Sequence, residues 1–161
     1  FFFFETNLKE QIRISIHITE ILGDKIGFKN YGGGSFCGCS SLKHITIPSS
    51  VTSIGDYSLC GCSSLQHIAI PSSVTSIGEG CFSGCTSLLQ IQIPSSVKTI
   101  KKNTFFGCTS LNQITFSTPS SVVKIEEYAF YECTSLAQIV IPSSVTEIGN
   151  YAIYRMILFK Y

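Results

Sequence analysis

Charged residues are scarce in this chain, and their scarcity narrows the classes of partner it can bind. Only 13% of the 161 residues are charged, while 44% are hydrophobic. An ordinary soluble domain has about 25% charged residues. The formal net charge is +1. Because binding to nucleic acid or to an anionic membrane surface needs a strongly basic patch, we expect neither as the partner.

Long apolar runs are also missing. The longest, at residues 1–4 and 156–159, fall far short of the roughly 18 residues that a membrane-spanning helix needs. The first run has neither the basic leader nor the small-residue cleavage site of a secretory signal. Direct membrane insertion is therefore not expected. Because the chain does not begin with Met, we expect a fragment or a processed product.

Residue patterns that carry catalysis are lacking as well. Asp24 and Asp56 are the two aspartates, and the sequence shows no acid pair, nucleophile elbow or phosphate-binding loop. Serine is abundant, but its Ser-Ser pairs recur at one regular interval, which a structural turn explains. The sequence therefore predicts no enzymatic activity, no catalytic residues and no cofactor.

What the sequence does contain is a repeat of about 23 residues. Proline occurs at positions 48, 71, 94, 119 and 142, with steps of 23, 23, 25 and 23 residues. The longer step comes from two extra residues, Ser117 and Thr118. We call the residues that share one position in successive repeats a column. The most regular columns are the cysteines Cys39, Cys62, Cys85, Cys108 and Cys133, the leucines Leu42, Leu65, Leu88, Leu111 and Leu136, and the isoleucines Ile54, Ile77, Ile100, Ile125 and Ile148.

Each repeat has the pattern of a short strand followed by a turn. Ile45 and Ile47 alternate with His44 and Thr46, which is the period of a strand with one buried face. Pro48 ends that strand, because proline cannot donate a ladder hydrogen bond. The rest of the unit has room for no more than about two helical turns. Units of this kind stack on one another and bury a shared core.

The complete pattern resembles the BspA-like, or treponemal-type, leucine-rich repeat family. The shared motif is Leu-x-x-Ile-x-Ile-Pro-x-Ser-Val-x-x-Ile-Gly, then an aromatic residue and Gly-Cys-x-Ser-Leu, over roughly residues 34–153. Leu59 and Ile153 replace the usual Phe, and Glu132 replaces the usual Gly. The resemblance implies a β-rich, right-handed leucine-rich-repeat solenoid of about five repeats, with short parallel strands joined by turns or helical turns.

The repeat predicts three parts of the chain. Residues 1–31 are an N-terminal cap-like segment, in which isoleucines from Ile12 to Ile18 alternate with polar residues as in a strand. Residues 32–153 are the repeat array, and residues 154–161 are a C-terminal tail or a truncated repeat. The apolar segment Met156–Phe159 is either a poor cap or the cut edge of a longer array, and it leaves end-to-end self-association open.

The eight cysteines raise the question of a metal site. Two C-x-C pairs place Cys37 with Cys39 and Cys60 with Cys62, and four thiolates can hold zinc. However, Cys39 and Cys62 belong to the cysteine column, where a small buried thiol serves as core. Cys37 and Cys60 share a different column, so a single disulfide between them is a further alternative. We predict no metal site.

The candidate binding surface is the outward face of the strand segments, which we call the ladder face. It carries almost no charge, and this suits hydrogen bonding to a protein or a glycan with little electrostatic steering. A second interpretation is that Gln and Thr simply keep this face hydrated. His44 and His67 are adjacent in one column, where a polar ladder is favoured over a two-His metal site. The predicted partner-binding residues are His44, Thr46, His67, Gln90, Gln92, Gln113, Thr115 and Gln138.

Together these features predict a non-enzymatic, protein-binding repeat module. The family resemblance implies surface proteins of bacteria and protists, some of which bind host matrix proteins or other cells. A cell-surface or extracellular recognition or adhesion protein is therefore the first hypothesis. The alternative is a cytoplasmic scaffold with cellular protein partners, because a column of unpaired thiols suits a reducing compartment.

Overall fold

The computed structural model describes residues 30–31 and 33–154, which form a solenoid of stacked turns and short strands. All strand pairing in this part of the chain is parallel. The strands are joined by turns without helices, and no helix there is long and apolar enough to cross a membrane. The strands are β1 (Asn30–Tyr31), β2 (Ser53–Ile54), β3 (Ser76–Ile77), β4 (Gln90–Ile93), β5 (Thr99–Ile100), β6 (Gln113–Phe116), β7 (Lys124–Ile125) and β8 (Glu147–Ile148).

The strand predicted within the repeat motif is best formed in the middle of the array. There β4 pairs with β6 from Gln90↔Gln113 to Ile93↔Phe116, and a single bridge joins His67 to Gln90. In the first repeat the segment 43–47 is not paired as a strand. Its predicted alternation is nevertheless confirmed, since residues 45 and 47 are buried and residues 44 and 46 are exposed.

A second ladder, which the sequence did not predict, runs through the two-residue strands. It has the strand order β1-β2-β3 in one sheet and β5-β7-β8 in another. β1 pairs in register with β2, Asn30 opposite Ser53, so the ladder already begins before residue 32, where we place the start of the array. The strand predicted at Ile12–Ile18 and the segment Met156–Phe159 lie outside the described residues.

Buried columns hold the repeats together. Phe82, Phe105 and Phe130 are fully buried, and their rings stack at centroid distances of 5.4 and 5.3 Å. Leu111 and Ile100, from the leucine and isoleucine columns, are likewise fully buried. Full burial of one such side chain stabilises by about 1.5–3 kcal/mol. Because each residue packs on its copies in the neighbouring repeats, the stack is stabilised by nearest-neighbour contacts.

The cysteine column is confirmed as part of the core, and it also forms hydrogen bonds. The Cys108 thiol donates to the backbone oxygen of Phe82 at 3.1 Å, and the Cys133 thiol donates to that of Phe105 at 3.2 Å. Burial raises the pKa of Cys133 to about 12. The thiol is therefore protonated at neutral pH and remains a donor, and alanine at this position would lack this hydrogen bond.

Two kinds of glycine allow the repeats to stack closely. A Cβ on Gly78 would lie 2.4 Å from backbone atoms of Gly55 and Asp56, so no larger residue fits there without movement of the backbone. Gly107 has space around it but adopts a φ of +68°. Glycine reaches this left-handed region without steric conflict. Gly78 is therefore required because no room exists for a side chain, and Gly107 because its backbone has a positive φ.

Candidate partner-binding face

The eight predicted partner-binding residues are all exposed. Seven of them line one groove on the ladder face, with a volume of about 670 Å³. Gln138 is exposed but does not line this groove. The predicted residues that line it are His44, Thr46, His67, Gln90, Gln92, Gln113 and Thr115.

The groove takes its shape from the alternation of the central strands. Ile91 in β4 and Ile114 in β6 are 3% and 7% exposed, and they anchor the strands in the core. Their neighbours Gln90 and Gln113 must then face outward. The parallel pairing places these two glutamines opposite each other, on strands about 4.8 Å apart. The backbone therefore determines the spacing of the amide groups along the face.

One hydrogen bond on this face involves a residue of the two-residue insertion, Ser117–Thr118. The Gln92 amide nitrogen donates to the Ser117 hydroxyl oxygen at 3.1 Å. Ser117 also donates its backbone N–H to the oxygen of Ile93 at 2.9 Å. The insertion thus extends past the end of β6 and supplies a hydrogen-bond partner for the Gln92 side chain.

The residues that line the groove carry no Asp, Glu, Lys or Arg side chain. The charged pairs of the described residues lie elsewhere, at Lys102–Glu127 (3.2 Å) and Lys124–Glu147 (3.0 Å). Glutamine, threonine and histidine each offer both donor and acceptor capacity. The groove can therefore recognise peptide groups and hydroxyls by hydrogen bonding, with little long-range attraction of charged partners.

The groove also has an apolar part that the predicted site residues omit. Ala69 lies exposed between Thr46 and Gln92 in one column, and the partly buried Ile70 lines the groove beside it. The strand period assigns Ala69 to the outward face and is therefore a sufficient signal to find it. Ile70 has an inward position in that period, so its partial exposure was not foreseeable.

The described part of the chain contains no cluster of side chains that could bind a metal ion. No group of three or more His, Cys, Asp or Glu side chains there stands in position to hold an ion. All eight cysteines lie in this part and are free thiols. His44 and His67 line the same groove, where they add two imidazoles to its polar lining.

Parallel stacking, regular buried columns and an exposed ladder face define a leucine-rich repeat solenoid. The family model of the BspA-type leucine-rich repeat region matches residues 1–118 and 29–160 in six copies. The chain therefore belongs to the BspA-type leucine-rich repeat family, as its motif predicts. No curated protein matches the chain.

Solved bacterial structures share the fold. A leucine-rich repeat protein of T. pallidum is 31% identical, with a TM-score of 0.66, over 75% of this chain and 62% of its own. One from Eubacterium ventriosum is 27% identical, with a TM-score of 0.63, over 83% of this chain and 44% of its own. A leucine-rich cell surface protein of Faecalibacterium prausnitzii is 30% identical, with a TM-score of 0.57, over 80% of this chain and 40% of its own.

The chain thus spans between 40% and 62% of the length of these proteins. Leucine-rich repeat proteins are generally protein-binding modules and are typically not enzymes. BspA-like members are often associated with the cell surface.

Proposed function

We propose that this chain is a protein-binding module that contacts its partner through the ladder face, and that it acts in recognition or adhesion at the cell surface. The observation that carries the proposal is the groove itself. Seven exposed polar side chains line it without a charged group among them. They sit on a backbone held by a constant core, which keeps their positions defined before binding.

The partner that suits this groove is a protein surface with exposed backbone and neutral polar groups. Amides such as Gln90 and Gln113 can hydrogen-bond to peptide groups, while Ala69 and Ile70 offer apolar contact. Host matrix proteins and cell-surface proteins are the partners we propose. Because the groove residues have no full charges, binding should depend only weakly on salt concentration.

Surface labelling of intact cells is the first test. A membrane-impermeant biotin reagent is applied to cells that produce the chain, the biotinylated proteins are captured, and the chain is detected beside a cytosolic marker. Strong labelling of the chain without the marker would support a cell-surface role. If the chain appears only after lysis, the adhesion proposal is wrong.

Site-directed charge tests the ladder face. Gln113→Arg places a charge in the groove, whereas Ser49→Arg places the same charge at an exposed residue that does not line it. Binding to immobilised collagen, laminin and fibronectin is measured for both variants and the wild type. We expect Gln113→Arg to weaken binding by roughly ten-fold or more and Ser49→Arg to leave it unchanged. Equal effects of the two substitutions would exclude the groove.

A cytoplasmic scaffold is the second candidate, and the cysteine column favours it. The thiols of Cys85, Cys108 and Cys133 each donate a hydrogen bond to the backbone of an earlier repeat. A core built on free thiols suits a reducing compartment. If intact cells show no labelling, the same Gln113→Arg and Ser49→Arg pair should be compared against cytosolic proteins that co-purify with the chain.

A further inference from the structure

Cys37 and Cys60 lie outside the core column, at equivalent positions of adjacent repeats. The N–H of Gly38 donates to the backbone oxygen of Cys60 at 2.7 Å, and the N–H of Gly61 donates to that of Ser83 at the same distance. The same bond joins Gly107 to the corresponding residue of the last repeats, Tyr131, at 2.8 Å. The backbones of this column are therefore stacked in register along the array.

The side chains of this column project in one direction and touch their neighbours. Phe106, Tyr131 and Tyr154 occupy it in the later repeats, and their rings stack at centroid distances of 5.3 and 5.5 Å. At the other end of the column, Cys37 and Cys60 occupy the first two positions, and the backbone bond from Gly38 to Cys60 places them side by side. The two cysteine side chains therefore leave adjacent backbones at the same position of the column.

The spacing of the column is compatible with a covalent bond between those sulfurs. Parallel backbones joined by hydrogen bonds lie about 4.8 Å apart. Bridged cysteines have Cα atoms about 4.4–6.8 Å apart and Cβ atoms about 3.5–4.5 Å apart. The Cα spacing fits directly, and the Cβ atoms must approach from about 4.8 Å to about 4.5 Å or less.

We propose that Cys37 and Cys60 form a reversible disulfide that joins the first two repeats when the chain meets a small-molecule disulfide. Cys37 is exposed, so its thiolate attacks one sulfur of the reagent and releases one thiol. The Cys60 thiolate then attacks Cys37 in this mixed disulfide and releases the second thiol. The two cysteines lose two protons and two electrons, which reduce the small-molecule disulfide to two thiols.

The environment of the other cysteines directs oxidation to this pair. Cys39 is only partly buried, like Cys60, but burial and next the neighbouring Cys37 raise the pKa of its thiol. The remaining cysteines are buried, where a small disulfide cannot reach them: Cys62, Cys81, Cys85, Cys108 and Cys133. Burial, and next the neighbouring Cys37, raise the pKa of the Cys60 thiol, while a hydrogen bond from Ser83 lowers it. Cys60 is therefore the slower thiol and the one that resolves the mixed disulfide. The new bond would close a loop over the 22 residues between the two cysteines and restrict the unfolded chain.

The proposal is tested on the full folded chain with oxidised glutathione as the probe. After incubation, free thiols are blocked with N-ethylmaleimide, and linked peptides are assigned by tandem mass spectrometry. Wild type is compared with Cys37→Ser, Cys60→Ser and, as the matched control, Cys39→Ser. We expect one Cys37–Cys60 link that survives in Cys39→Ser and is lost in the other two variants. Dithiothreitol should remove the link and lower the melting temperature.

Three results would overturn the proposal. The first is a link within the Cys37-Gly38-Cys39 pair. The second is a persistent mixed disulfide of glutathione on Cys37 that Cys60 does not resolve. The third is complete blocking of both cysteines by N-ethylmaleimide after oxidation, while circular dichroism shows that the chain is still folded.

Discussion

The most regular buried columns of this solenoid keep the same residue type from one repeat to the next, whereas the ladder face changes its residues. The cysteine and leucine columns keep one residue type in all five repeats that the spacing defines. On the ladder face, one column changes from His67 to Gln90, and its neighbour changes from Ala69 to Gln92 and then to Thr115. Both sets lie on the same stacked turns, so the difference does not come from the backbone.

The difference follows from what each residue touches. A buried residue such as Phe105 packs between its own copies, Phe82 and Phe130, so its size must match theirs. A ladder-face residue such as Thr115 meets solvent and is free to vary. Variation is thus permitted on the surface that we propose for binding.

The largest loss of stability is expected where a charged residue replaces a member of a buried column. Ile93 is 0% exposed, so Ile93→Asp would bury a carboxylate without a partner and lower the free energy of unfolding by several kcal/mol. Gln92→Asp on the same strand is the control, because residue 92 is exposed. Urea unfolding followed by circular dichroism measures both. An unchanged midpoint for Ile93→Asp would show that this column is not core.

The next largest loss of stability is expected where alanine replaces a glycine. Two such substitutions compare a steric clash between repeats with an unfavourable backbone conformation. Gly78→Ala must displace the backbone of the preceding repeat, and we expect it to cost about 2–3 kcal/mol. Gly107→Ala meets no atom within 4 Å and suffers only from its φ of +68°, for which about 1 kcal/mol is expected. Thermal unfolding of the two variants tests the order. The reverse order would mean that the repeats separate readily at Gly78.

The buried thiols predict a loss of stability in alkali. Burial raises the pKa of Cys85 from its ordinary value near 9 to about 12. The stabilisation is complete below pH 9, where the thiol is protonated in both states, and it is lost as pH rises from 9 towards 12, because only the unfolded chain ionises. At pH 10 this one thiol should account for a loss of about 1.4 kcal/mol relative to pH 7.

Cys85→Ala removes that contribution to the pH dependence. The measured quantity is the difference in unfolding free energy between pH 7 and pH 10, so any constant loss from the missing side chain cancels. We expect a smaller difference for Cys85→Ala than for the wild type. The same difference in both proteins would argue that this thiol ionises as readily in the folded chain as in the unfolded chain.

The buried columns were predictable from the sequence, whereas the ladder face was predictable only in part. A 23-residue period identifies the family, the core columns and the outward position of residues such as Gln90. It does not reveal the second ladder, because a two-residue strand such as Ser53–Ile54 has no visible alternation. It also does not reveal that Gln138 lies off the groove, since the limits of a groove depend on how successive repeats stack in three dimensions.

The smallest effect on stability is expected on the ladder face. Gln92→Ala removes the 3.1 Å hydrogen bond to Ser117, but both groups are accessible to water, so the free energy of unfolding should change by less than about 0.5 kcal/mol. Ser117→Ala removes the other partner, and the double variant measures their coupling by urea unfolding. A coupling well above about 1 kcal/mol would make this bond part of the framework rather than of the variable face. A small coupling would instead leave Gln92 free to exchange its Ser117 partner for one on a bound protein, because little stability is lost when the bond opens.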